Sequence, residues 1–181
     1  MKLTEGEKLI AVMLADIKEK LDARGEIDAD FVKAAIYGRH EWALDWEYSS
    51  LCDPENQNPA EVKEVVDTLD TWRFLRNSFK ALSPEDRKRV EEHAFVENDE
   101  LTFPGFDGNN ESEHYSIALF LVEKLRRFTE LNPQALNSHC PSIEGYRAMN
   151  RVFEPIRKSL DMGRFNLTAD QMIEVLKARR S

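Results

Sequence analysis

Two short polar loops hold most of the side chains in this chain that could do chemistry. Residues 102–115 read TFPGFDGNNESEHY, and residues 137–141 read NSHCP. Asp107, Asn109, Asn110, Glu111, Asn137 and His139 offer carboxylates, amides and an imidazole there. These are the usual parts of an oxygen-and-nitrogen metal site or an acid–base pair. A metal-dependent or acid–base hydrolase built from both loops is therefore one reading. The other is structural, because polar loop side chains mostly satisfy backbone groups.

Spacing weakens the specific versions of the first reading. Asp107-x-Asn109-x-Glu111 opens like a calcium loop, but the sixth and twelfth positions, which need Gly and Glu, are Ser112 and Ala118. Glu111-x-x-His114 is half of a carboxylate-bridged di-iron set, and none of the four histidines completes a second half. His40-Glu41 is followed by Leu44 where a zinc protease needs its second His. Walker, G-x-G-x-x-G and G-x-S-x-G patterns are absent. His139 and Cys140 are adjacent, and sequence neighbours point apart, so adjacency makes no dyad; Cys140 reads as a half-buried structural thiol. No catalytic residue, cofactor site or metal site is assigned.

The elements that must position these loops read as helices. Thr4 and Glu7 form a capping box, and Leu9, Ile10, Met13, Leu14, Ile17 and Leu21 follow on one helix face. Gly25 reads as the stop and Asp28 as the next cap, before Phe31, Val32, Ala35 and Ile36. Asp53 to Pro59 reads as a turn-rich connection, and Asn58-Pro59 opens the longest helix, striped by Val62, Val65, Val66, Leu69, Trp72, Leu75, Phe79 and Leu82. Ser83-Pro84 starts a shorter helix that Val90, Ala94 and Phe95 finish. The run Ile117–Val122 suits strand or helix; spacing from Tyr115 to Phe128 favours a central apolar helix over about 113–128. Tyr146, Met149, Phe153, Ile156 and Leu160 mark another, with a kink or break expected just before Pro155. Thr168 and Gln171 box the last helix. No Asn-Gly hairpin signal and no repeat appears. The expected fold is all-α, one domain over 1–181 with seven or eight helices.

The 181 residues are 41% hydrophobic and 33% charged, with net charge −9. That is the profile of a soluble globule. Residues 91–113 carry eight acids and no Lys or Arg, whereas residues from Arg151 onward carry a net +3. A phosphate backbone would be repelled by most of this surface, so a nucleic-acid-binding regulator ranks third among the functions. The start MKLTEGEKLIAV lacks the basic-then-apolar plan of an export signal, which places the chain in the cytoplasm with Cys52 and Cys140 as reduced thiols.

FPGFDGNNE, a Tyr four residues past Glu111, an aliphatic helix ending LRRF, then NSHCP and Tyr146-x-x-Met149 resemble the YfbU family of bacterial proteins. The resemblance is strong from about Phe103 to the C-terminus and weaker before it. It implies an all-α fold and a bacterial cytoplasmic setting, and it carries no assigned activity and no catalytic residues. The leading expectation is a non-enzymatic module that assembles with itself or another protein. A homodimer is expected through the aromatic-rich segment from Trp42 to Leu51, where Trp42, Trp46 and Tyr48 could line an interface. Asp107 is expected to find its partner in the second loop, in His139 or a backbone N–H there, and Asn109 or Asn110 to cap the helix that follows.

Overall fold

The computed structural model of the chain describes residues 2–52, 57–94, 96–97, 100–160 and 166–179. Eight α-helices lie among them: α1 (Glu5–Lys20), α2 (Ala29–Tyr37), α3 (Trp42–Glu47), α4 (Ala60–Ala81), α5 (Pro84–Glu91), α6 (Ser112–Glu123), α7 (Ile143–Ser159) and α8 (Ala169–Ala178). The fold is all-α. The acidic loop adds one antiparallel pair of two-residue strands, β1 (Val96–Glu97) and β2 (Glu100–Leu101), which no turn signature announces. No helix among the described residues is long and apolar enough to cross a membrane.

Side-chain caps fix four helix starts. Thr4 and Glu7 bond each other's backbone N–H at 3.3 and 2.7 Å. Asp28 takes Phe31 N–H at 3.1 Å, and Ser83 takes Asp86 N–H at 3.2 Å behind Pro84. Thr168 and Gln171 repeat the box. Such caps settle donors that a helix cannot bond internally, each contributing about 1 kcal/mol. Pro59 precedes the first residue of α4 rather than occupying it.

The core lies between α4, α6 and α7. Val62, Val65, Leu69, Trp72, Leu75 and Phe79 of α4 meet Ile117, Ala118, Leu121 and Val122 of α6 and Tyr146, Met149 and Phe153 of α7. The Ile117 run is thus helix, as its spacing predicts. It ends at Glu123, short of Phe128: Arg126 and Phe128 take left-handed backbone, and Arg127 N–H closes on the Leu121 carbonyl at 2.8 Å. Phe128 is buried all the same. On the opposite side, α2 and α3 rest on Phe120, whose ring meets Phe31, His40 and Trp42 at 5.7, 4.6 and 6.2 Å.

Several expectations fail on local physics. Helix α7 runs unbroken through Pro155, because proline sits exposed one turn from the end and forfeits a single bond. The stop after α1 is Asp22, left-handed at φ 48°, rather than Gly25. Helix α5 ends at Glu91 with Ala94 half-buried beyond it; Phe95 and residues 53–56 lie outside the described residues.

The aromatic part of the segment from Trp42 to Leu51 is largely covered by its own chain, while Leu51 at its end is 71% exposed. Trp42, Ala43 and Leu44 are buried. Trp46 donates to Asn58 Oδ1 at 3.0 Å under the Arg127 guanidinium, and Tyr48 hydroxyl accepts Asp28 N–H at 2.9 Å. Among the described residues a larger exposed apolar surface lies on α1. Helix α1 packs on α2 with Ala15 buried and Lys8, Ala11, Val12 and Lys18 half-buried. Lys8 pairs with Glu41 at 2.9 Å, and Lys33 of α2 pairs with Asp16 and Glu19. The apolar face of α1 points away: Leu9, Ile10, Met13, Leu14, Ile17 and Leu21 are 50–71% exposed.

Candidate functional site

The loop from Phe103 to Glu111 is pinned at both ends by what its sequence supplies. Phe103 and Phe106 are buried, each ring 5.5 Å from that of Tyr146. Gly105 turns between them at φ 90°, where an added Cβ would strike the Leu136 carbonyl. Its own carbonyl accepts Tyr146 Oη–H at 2.6 Å, with Ser142 Oγ 3.2 Å away. Burial pushes the Tyr146 hydroxyl far above its ordinary value, so it stays a donor.

The second loop zips alongside. Phe106 N–H donates to Leu136 O and Ser138 N–H to Phe106 O, both at 2.9 Å, a single parallel bridge. The amide oxygen of Asn137 takes Gly108 N–H and His139 N–H, each at 3.1 Å. Asn137 is therefore the side chain that ties loop to loop.

Asp107 is 1% exposed and finds its partners at home. Oδ2 accepts the Asn110 side-chain amide at 2.6 Å, and Oδ1 accepts Asn109 N–H at 2.9 Å. These bonds, the Asn110 amide first, hold the Asp107 carboxyl below its usual range. The expected bond to the second loop is not made, and His139 is exposed with left-handed backbone at φ 53°. A three-residue Asx turn reaches the carboxylate before a residue thirty positions away can. Neither Asn109 nor Asn110 caps α6, whose start has no side-chain cap; the Asn110 amide is spent on Asp107.

Glu111 stands at the α6 start and caps a different helix. Its Oε1 takes Ser142 N–H at 2.5 Å and Ile143 N–H at 2.7 Å, the first free donors of α7. Its Oε2 takes Asp107 N–H at 2.9 Å and Ser142 Oγ–H at 2.8 Å. Burial alone would raise the carboxyl, but the N–H groups of Asp107, Ile143 and Ser142 outweigh it and hold it ionised, beside the positive end of α7. Four bonds fill this carboxylate, as Asp107 is filled by two. The structure brings Asp107, Asn109, Asn110, Glu111 and Asn137 into one bonded unit whose acceptors face backbone donors.

Two further clusters carry no sequence signal, because each joins different helices. Glu64 of α4 receives His114 of α6 at 2.7 Å and Arg147 of α7 at 3.1 Å. The Arg147 guanidinium, against burial and with help from His114, holds the Glu64 carboxyl below its usual range. They edge an open cleft of about 570 Å³. His114 thus turns away from Glu111, which ends the di-iron resemblance. His40 is buried and meets Ser116 Oγ at 2.9 Å beside a cavity of about 530 Å³. Burial lowers the His40 pKa, keeping it neutral, and its Nδ1 has no partner. A serine nucleophile needs an acid at that nitrogen to orient the imidazole. Among the described residues no three His, Cys, Asp or Glu side chains gather as metal ligands.

A family model described as the YfbU domain matches residues 1–178. The match takes in the N-terminal half as well. The UPF0304 protein MJECS11 of Methanocaldococcus jannaschii is 26% identical over 124 residues, covering 66% of this chain and 68% of that protein.

Proposed function

The chain belongs to the YfbU family, and on that premise we propose that it is a non-enzymatic cytoplasmic module that assembles with itself as a homodimer. One observation carries the reading: the apolar face of α1 is 50–71% exposed over six side chains in a row along one helix. Contiguous apolar patches of this kind mark interaction surfaces on soluble proteins. Taking the uncovered half of each side chain out of water contributes on the order of 1 kcal/mol, on both copies. The polar loops support the same reading, because the carboxylates a hydrolase would use already accept backbone N–H groups. Cys52 and Cys140 are both free thiols, which suits a reducing compartment.

Sedimentation equilibrium tests it. The native chain is expected at twice its 21.0 kDa mass at micromolar concentration. Leu14→Glu is expected to give a monomer with unchanged helical circular dichroism. A native chain that sediments as a monomer refutes the reading.

A further inference from the structure

We infer that the two copies join through their α1 helices side by side and antiparallel, with the two-fold axis between Met13 and Leu14. The inference rests on the dimer reading above and adds the partner, a second copy, and its geometry. Ile10, Met13, Leu14 and Ile17 step by three, one and three, a spacing that reads the same from either end. A two-fold axis at its midpoint therefore sets Ile10 against Ile17 of the second copy, and Met13 against Leu14. Ile10, Leu14, Ile17 and Leu21 step by four, three and four, the alternation that lets two helices interdigitate.

Charge chooses the direction. The first turn of α1 carries Glu5 and Glu7, and the last carries Lys18 and Lys20. Antiparallel pairing about that axis sets Glu7 beside Lys20 of the second copy and opposes the helix dipoles favourably. Parallel pairing would set acid against acid and base against base at both ends. The inner face of α1 is already committed to α2 through Lys33–Glu19 and to the start of α3 through Lys8–Glu41, which leaves the outer face to meet a second copy. Leu9 also edges a groove that Val12, Ile36 and the exposed Tyr37 line together with Glu5, Lys8 and Arg39. That groove widens the interface beyond one helix pair.

Thiol cross-linking in a Cys52→Ser, Cys140→Ser background tests the geometry. Leu14→Cys and Met13→Cys are each expected to link to themselves on mild oxidation. Ile10→Cys alone is expected to stay unlinked, and to link when mixed and exchanged with Ile17→Cys. A chain that sediments as a dimer while Ile10→Cys links to itself as readily as Leu14→Cys is parallel, which overturns this inference and leaves the dimer standing. A dimer in which none of these variants links pairs through another surface, which overturns the inference as well. A monomer in sedimentation overturns the reading beneath it.

Discussion

The Glu111 carboxylate and Ser142 are joined twice, through Ser142 N–H at 2.5 Å and its hydroxyl at 2.8 Å. A residue at the head of α6 thereby caps α7, which starts with no cap of its own. Glu111→Ala should strand the N–H groups of Asp107, Ser142 and Ile143 together. The expected loss is about 2–4 kcal/mol, seen in chemical denaturation as a lower midpoint at unchanged slope. Amide exchange at Ile143 should accelerate with it. An unshifted midpoint would mean that water replaces the carboxylate without cost.

Asp107 answers to its own loop. Asp107→Ala and Asn110→Ala are therefore expected to be strongly non-additive in a double-mutant cycle, since each removes the same 2.6 Å bond. Asp107→Ala and His139→Ala should add. Thermal melts of the two cycles check this, and coupling to His139 instead would point to a contact made only in solution.

Acid should lower the stability of the fold through these carboxylates. Glu111 and Glu64 both sit below the ordinary carboxyl value of 4.5, through the backbone N–H groups that overcome burial at Glu111 and the Arg147 guanidinium at Glu64. The unfolded chain then takes up protons first as pH falls. Their contribution is complete above about pH 4.5 and disappears as pH drops through the lower folded values. Melting temperature followed from neutral pH downward should fall on that limb, and Glu111→Gln should flatten it.

Gly105→Ala should cost roughly 2–4 kcal/mol, because backbone at φ 90° is strained for any L side chain and the new methyl meets the Leu136 carbonyl. The measurement is the denaturation midpoint. Near-native stability would show that the two loops can separate.

Pro155→Ala should stabilise. It restores the bond to the Arg151 carbonyl in a helix that is already continuous. The gain, about 1–2 kcal/mol after the unfolded chain recovers its freedom, should appear as a higher melting temperature.

Seven of the eight described α-helices were legible in order, because caps and apolar spacing are local; α3, six residues long and without a side-chain cap, was not. Thr4, Asp28, Ser83 and Thr168 each bond a backbone N–H three residues on, and no distant residue can alter that. What the α1 stripe faces was not legible: periodicity says that six apolar residues share a face, while the pairs Lys8–Glu41 and Lys33–Asp16 decide that this face turns outward. Nor was the fate of the polar loops. Asp107, Glu111 and His114 lie within eight positions, yet they bond to Asn110, Ser142 and Glu64 in three directions. Sequence proximity sets which groups are available, and only the packing of α4, α6 and α7 decides which donor arrives within bonding distance of each.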